Sequence, residues 1–223
     1  MTTFTVDRPP VARRTNGHRL PPPPTTGGGD GPEREPGPRR PLLDNVGLAM
    51  LFLICGETMF FGGLVSAFLV LRVSAAQWPP PLQPRLPIGV TGVNTLVLLA
   101  SSVAMVAASR ALERDDMRGL VRRLLLAGGL GAAFLLVQGY EWVRLVSFGL
   151  TVSSGAYGGA FYTLIGTHAA HVIAAVIWVA ATVLLAARGR FADGRTGPLR
   201  ACAIYWHFVV ALWPILYVAV YLV

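Results

Sequence analysis

The chain has 223 residues, of which 53% are hydrophobic and only 13% charged, and its mean hydropathy is +0.55. A soluble domain is nearer one quarter charged. The formal charge of +8 comes from 19 basic residues, all arginine. They gather in the amino-terminal tail and in the gaps between apolar runs, which excludes a nucleic-acid binder with its basic residues on one folded face.

Residues 1–41 are rich in Pro, Gly and Arg, with PPPP at 21–24 and GGG at 27–29. They hold almost nothing that could form a core, so a disordered cytoplasmic tail is expected. No apolar stretch with a small-residue cleavage site follows the first charges, so the tail does not read as a signal peptide.

Residues 42–223 read as an all-α integral membrane protein, a five-helix transmembrane bundle. Its spans fall near 46–72, 87–110, 120–147, 158–187 and 199–223. Each reaches the ~20 residues needed to cross ~30 Å of hydrocarbon at 1.5 Å per residue, and the excess length predicts tilt. Breakers separate them: WPPPLQPRLP at 78–87, SSGAYGG at 153–159 and RGRFADGRTGP at 188–198. A β-barrel would need ~10-residue segments of alternating polarity, and these runs are continuously apolar. Small residues at 62–63, 128–129 and 158–159 permit close helix approach.

Arginine placement gives a direction. The loop at 110–123 carries Arg110, Arg114, Arg118, Arg122 and Arg123; the loop at 188–200 carries Arg188, Arg190, Arg195 and Arg200. The alternate gaps hold only Arg72 and Arg85, and Arg144. The basic-loop rule then puts the amino terminus inside the cell and the carboxyl terminus outside, as five spans require.

Ionisable groups inside spans are costly and mark functional candidates. Glu57 falls near mid-membrane in the first span. It reads either as a neutral, hydrogen-bonded packing residue or as a proton-exchanging, lipid-contacting acid. Gln138, Glu141 and Trp142 share one face of the third span and read as an anchor at its outer end. His168 and His171, at i and i+3, share a face of the fourth span. They could ligate a metal, but hydrogen bonding to Glu57, Glu141 or backbone carbonyls fits better, because the remaining membrane histidine, His207, lies at another depth. His207 either contacts a lipid phosphate or closes a polar network, and Trp206 beside it suits the inner interface. Cys55 and Cys202 read as small buried hydrophobes. No nucleotide motif, Ser/His/Asp order or redox motif is present.

Five pieces of the chain, GETMFFGGLVSAFLVLR at 56–72, NTLVLLASS at 94–102, QGYEW at 138–142, SGAYGGAFYTLIGTHAAHV at 154–172 and YWHFVVALW at 205–213, occur in an order that resembles subunit III of the haem–copper cytochrome oxidases. The match covers about 43–223 and leaves out the tail. The long members have seven helices; this chain looks like the short five-helix bacterial form without the first two.

The resemblance implies a helical bundle with a lipid-filled cleft. It implies no catalytic residue, haem, copper or other metal in this chain, since haem and copper sit in partner subunits. The expected partners are subunits I and II and bound phospholipid, in a bacterial plasma membrane. The chain would not be catalytic alone. As part of a proton-translocating oxidase of aa3 or caa3 type it would stabilise subunit I and support proton uptake and oxygen access.

Glu57, His168, His171 and His207 match family positions and, with Glu141, are the proton or lipid-cleft candidates. Arg72, Trp142 and Trp206 are candidates for interfacial or lipid contact. Two departures stand out: Val210 replaces the acid of the usual YWHFVD, and Ala169–Ala170 separates the histidines where Gly is usual. Three alternatives stay open. One is the accessory subunit of nitric oxide reductase, whose members often lack the embedded acid. Another is a small transporter coupled through Glu57, although no inverted repeat is evident. The last is a haem-binding membrane cytochrome.

Overall fold

The computed structural model describes residues 45–81, 83–191 and 196–222, so the expected tail at 1–41 lies outside the described residues. The described chain is helical, with no strand among the described residues. Its elements are α1 (Asn45–Ser74), α2 (Ile88–Glu113), α3 (Met117–Ser147), α4 (Ala156–Ala187) and α5 (Gly197–Tyr217), closed by a π-helical turn (Val218–Leu222). All five helices are long and apolar enough to cross a membrane. At 1.5 Å per residue the 32 residues of α4 extend about 48 Å, well beyond the hydrocarbon thickness.

The helices overrun the apolar runs at the α2–α3 connection, where only Arg114, Asp115 and Asp116 stand between them. Asp115 adopts φ 55°, a left-handed conformation that Asp tolerates. Asp116 then caps α3 by accepting the Gly119 N–H at 2.8 Å. This tight hairpin holds α2 and α3 side by side along their length. The α3–α4 connection turns at Gly149 (φ 92°) and Gly155 (φ 90°), backbone positions that favour glycine. It is knotted together by Ser154, whose hydroxyl donates to the Gly149 carbonyl at 2.9 Å and accepts the Thr151 N–H at 2.7 Å.

The fifth helix is the centre of the bundle. It packs on α1, α2 and α4 and reaches α3 through two indoles. Trp206 lies over Gly131, where a Cβ would stand 2.5 Å from the ring, and Trp213 meets Phe134 edge-on at 4.9 Å. Pro214 interrupts the α5 hydrogen-bond ladder one turn before the π-helical turn, a usual site for such a bulge. The first helix is the least buried. Phe52 and Met59 are 69% and 80% exposed, and Cys55 is exposed where burial was expected, while Cys202 is buried. In a membrane an outward apolar face meets lipid or another protein and carries no hydration cost.

Candidate functional site

Two helices meet at the embedded acid. Glu57 on α1 and His171 on α4 approach to 3.1 Å between Oε2 and Nε2, and both side chains are about one fifth exposed, at 20% and 21%. On its other side His171 Nδ1 lies 2.8 Å from the Thr167 carbonyl one turn back. A carbonyl only accepts, so Nδ1 carries a proton and Nε2 is the atom offered to Glu57. Glu57 Oε2 has no aligned hydrogen bond, so the contact is an ion-pair approach that a small rotation would convert to a hydrogen bond. Glu57 and His171 together can hold one proton across that gap: as acid and neutral imidazole, or as carboxylate and imidazolium. The flanking rings are apolar, with Phe61 edge-on to His171 at 5.1 Å and Phe60 at 6.4 Å.

His168 behaves differently from its neighbour. It is fully buried, stacked on Trp213 at 5.0 Å, with Phe61 edge-on at 6.4 Å. Both ring nitrogens lack a hydrogen-bond partner among the described residues, so the expected bond to an acid or carbonyl is not made there. Phe61 touches both histidine rings, and the two do not converge on a common ligand. Among the described residues no three His, Cys, Asp or Glu side chains come together to hold a metal.

His207 closes a polar network. Its Nδ1 is hydrogen-bonded to the Ser102 hydroxyl of α2. This is one rung of a seam between antiparallel α2 and α5. Trp206 Nε1 donates to Ser101 Oγ at 3.2 Å. Further along, Trp213 Nε1 donates to Thr95 Oγ1 at 2.9 Å, and Tyr217 donates to the Ile88 carbonyl at 3.0 Å. Trp206, read as an interfacial ring, is buried at 1% exposure, because its N–H has a partner on α2 and its far edge fills the notch left by Gly131. Asn94 adds a cross-link from α2 to α3, donating to the Phe134 carbonyl at 3.0 Å. Sequence reading passed over Asn94, Thr95, Ser101 and Trp213 as site residues. The available signal was hydrogen-bonding side chains recurring within an apolar run, which need partners in lipid.

The QxxEW group is also more internal than an outer anchor. Gln138 and Glu141 are buried, at 3% and 4% exposure. Gln138 donates to the Tyr221 hydroxyl at 3.2 Å, and Glu141 pairs with Arg144 at 3.2 Å. Trp142 packs edge-on to Tyr162 at 5.9 Å. Val210 is buried at 3%, on the same helix and one turn beyond His207. Arg72, at the end of α1, borders a small cavity.

These features match a known family. The family model described as cytochrome c oxidase subunit III matches residues 41–223. The cytochrome c oxidase subunit 3 of Thermostichus vulcanus is 33% identical over 177 residues, covering 78% of this chain and 86% of that one. The subunit 3 of Corynebacterium diphtheriae is 31% identical over 195 residues, covering 86% and 94%. That of Sus scrofa is 32% identical over 178 residues, which take up 77% of this chain but only 67% of the longer relative. Five apolar helices of spanning length, the embedded acid beside a histidine, and a match over the whole helical region make this chain a multi-pass member of the cytochrome c oxidase subunit III family.

Proposed function

We propose that the chain is the non-catalytic subunit III of a bacterial aa3- or caa3-type cytochrome c oxidase, seated against subunits I and II in the plasma membrane with its amino terminus inside. In this reading residues 1–41 form a cytoplasmic tail ahead of the five-helix domain. The bundle stabilises subunit I, supports its proton uptake and oxygen access, and holds phospholipid along its outer helices. Glu57 and His171 are the proton-holding pair; His207 joins α5 to α2, His168 stacks on Trp213 of α5, and Glu141 pairs with Arg144 within α3.

The observation that carries this reading is the 3.1 Å approach of Glu57 to His171 between α1 and α4. A carboxyl facing an imidazole within a span holds a proton at little charge cost, because the pair stays near neutral however that proton is placed. In the cytochrome c oxidase subunit III family haem and copper sit in subunits I and II, so in this reading the pair serves a partner.

Glu57→Gln tests this. Glutamine keeps the shape and can hydrogen-bond His171, yet it cannot exchange a proton. The assembled oxidase carrying it should form normally and start turning over at the normal rate. Proton uptake should then slow or the number of turnovers before inactivation should fall. Unchanged proton uptake and unchanged activity through prolonged turnover would remove the proton role.

A further inference from the structure

The polar aromatic rings of the bundle lie in contact with one another. Four of the five tryptophans meet a tyrosine: Trp78 with Tyr157 at 4.9 Å, Trp142 with Tyr162 at 5.9 Å, Trp178 with Tyr205 at 5.5 Å and Trp213 with Tyr221 at 6.5 Å. Trp213 begins a run of three such rings, because Tyr221 in turn lies 5.5 Å from Tyr217. The run leads from a buried indole to the end of the bundle away from the α2–α3 hairpin. There Tyr221 lines a cavity of about 200 Å³ together with the Trp78–Tyr157 pair. That space far exceeds what one water needs, about 10–15 Å³ on a comparable measure.

Packing alone does not ask for these ring types. The bundle fills the neighbouring space with phenylalanine: Phe134 lies 4.9 Å from Trp213 and Phe161 lies 6.1 Å from Tyr221. A tryptophan or tyrosine in an apolar interior brings a polar atom that needs a partner. Each of the three is given one. Trp213 Nε1 donates to Thr95 Oγ1 at 2.9 Å, Gln138 donates to the Tyr221 hydroxyl at 3.2 Å, and Tyr217 donates to the Ile88 carbonyl at 3.0 Å. None of these partners is a base at neutral pH. What sets indole and phenol apart from the phenylalanine ring is that they give up an electron readily.

We propose that Trp213, Tyr221 and Tyr217 form a radical relay, which carries an oxidising equivalent from the core of the bundle to its end and so spares the core from oxidation. The oxidant is a one-electron oxidant left by incomplete reduction of oxygen, and the final donor is a water-soluble thiol. The oxidant takes one electron from Trp213 and leaves an indole radical cation. The indole keeps its N–H proton, because Thr95 Oγ1 is no base. Tyr221 returns an electron to the indole and releases its hydroxyl proton to water in the cavity it lines. The neutral tyrosyl radical passes to Tyr217 and back by exchange of an electron and a proton. A thiol then donates a hydrogen atom: its S–H bond breaks, the tyrosine O–H bond re-forms, and a thiyl radical leaves. In sum one oxidant is reduced, one thiol is oxidised and one proton is released, with no residue consumed. The proposal rests on the oxidase reading only for the source of the oxidant, and it involves neither Glu57 nor His171.

The test uses the full chain in lipid nanodiscs, with a ruthenium photo-oxidant tethered two residues from Trp213 at Ile215→Cys in a Cys55→Ser background; Ile215 is exposed and Cys202 is buried. A flash in the presence of a soluble electron acceptor turns the ruthenium into a one-electron oxidant. Freeze-quenched electron paramagnetic resonance should show a tyrosyl signal in this parent chain and an indole signal in Tyr217→Phe/Tyr221→Phe, which keeps both rings and their packing. After repeated flashes, peptide mass spectrometry should find oxidised Trp213 raised several-fold in the double variant. Glutathione should lower that oxidation in the parent and not in the variant. Exclusion of a thiol dye from Cys202 reports that each chain is folded. The same radical signal and equal oxidation of Trp213 in the parent and the folded double variant would overturn the proposal. No oxidase activity is read, so the result stands apart from that of Glu57→Gln.

Discussion

Gly131→Ala is the sharpest probe of how this bundle closes. The new Cβ would stand 2.5 Å from Trp206 Cη2, 3.1 Å from Cζ2 and 3.3 Å from Val176 Cγ2. Carbon atoms pack best at about 3.5–4.0 Å, so the indole must retreat by about 1 Å. It has no free direction, being buried at 1% exposure with its N–H 3.2 Å from Ser101 Oγ.

Overpacking a tight core costs about 1–3 kcal/mol, and breaking the Trp206–Ser101 bond adds about 0.5–1.5 kcal/mol. The better helix propensity of alanine returns about 0.5–1 kcal/mol. The net expected loss is about 0.5–4 kcal/mol, a fall in melting temperature of at least roughly 1 °C by the soluble-protein scale. The assay follows labelling of buried Cys202 by a thiol-reactive dye during heating, in a Cys55→Ser background that removes the exposed thiol. Gly129→Ala, which meets nothing within 4 Å, is the control and should melt no lower than wild type. Adding Trp206→Phe to Gly131→Ala should cost less than the sum of the two, since the shorter ring vacates the contested space. Equal melting of Gly131→Ala and Gly129→Ala would refute the packing described for α3 and α5.

Other consequences follow from the same contacts. Ser101→Ala removes the acceptor of a buried indole N–H and should lower stability by about 1–3 kcal/mol, read by the same thermal assay. Thr58→Ala, which removes only an exposed hydroxyl bonded within its own helix, should be close to neutral. His168→Ala combined with His171→Ala should leave the metal content of the purified oxidase unchanged by elemental analysis; loss of a stoichiometric metal would show that the histidines are ligands.

The number and type of the elements could be read from the sequence, because continuous apolar runs of spanning length admit few other structures in lipid. The facing of Glu57 and His171 was within reach too, since buried ionisable groups must find partners. Exact helix ends were harder to place. The α2–α3 turn is built from Arg114, Asp115 and Asp116, charged residues that look like a longer loop until Asp116 is seen capping α3. The internal positions of Trp206, Gln138 and Glu141 escaped for a related reason. An amphipathic ring or amide near a span end suits the interface and the interior equally well on sequence alone. What decides is the partner on another helix: Ser101 for Trp206, Tyr221 for Gln138. His168 shows the converse, a polar ring stacked on Trp213 with no hydrogen-bond partner among the described residues.

The most direct measurement of the proposed role compares the oxidase with and without this chain, following oxygen consumption from the first turnovers to inactivation. If the chain serves a catalytic partner, the depleted complex should keep its haem spectrum and its initial rate but lose activity after fewer turnovers, and the purified chain alone should show no Soret band and consume no oxygen. A depleted complex with an unchanged lifetime, or oxygen reduction by the isolated chain, would contradict it.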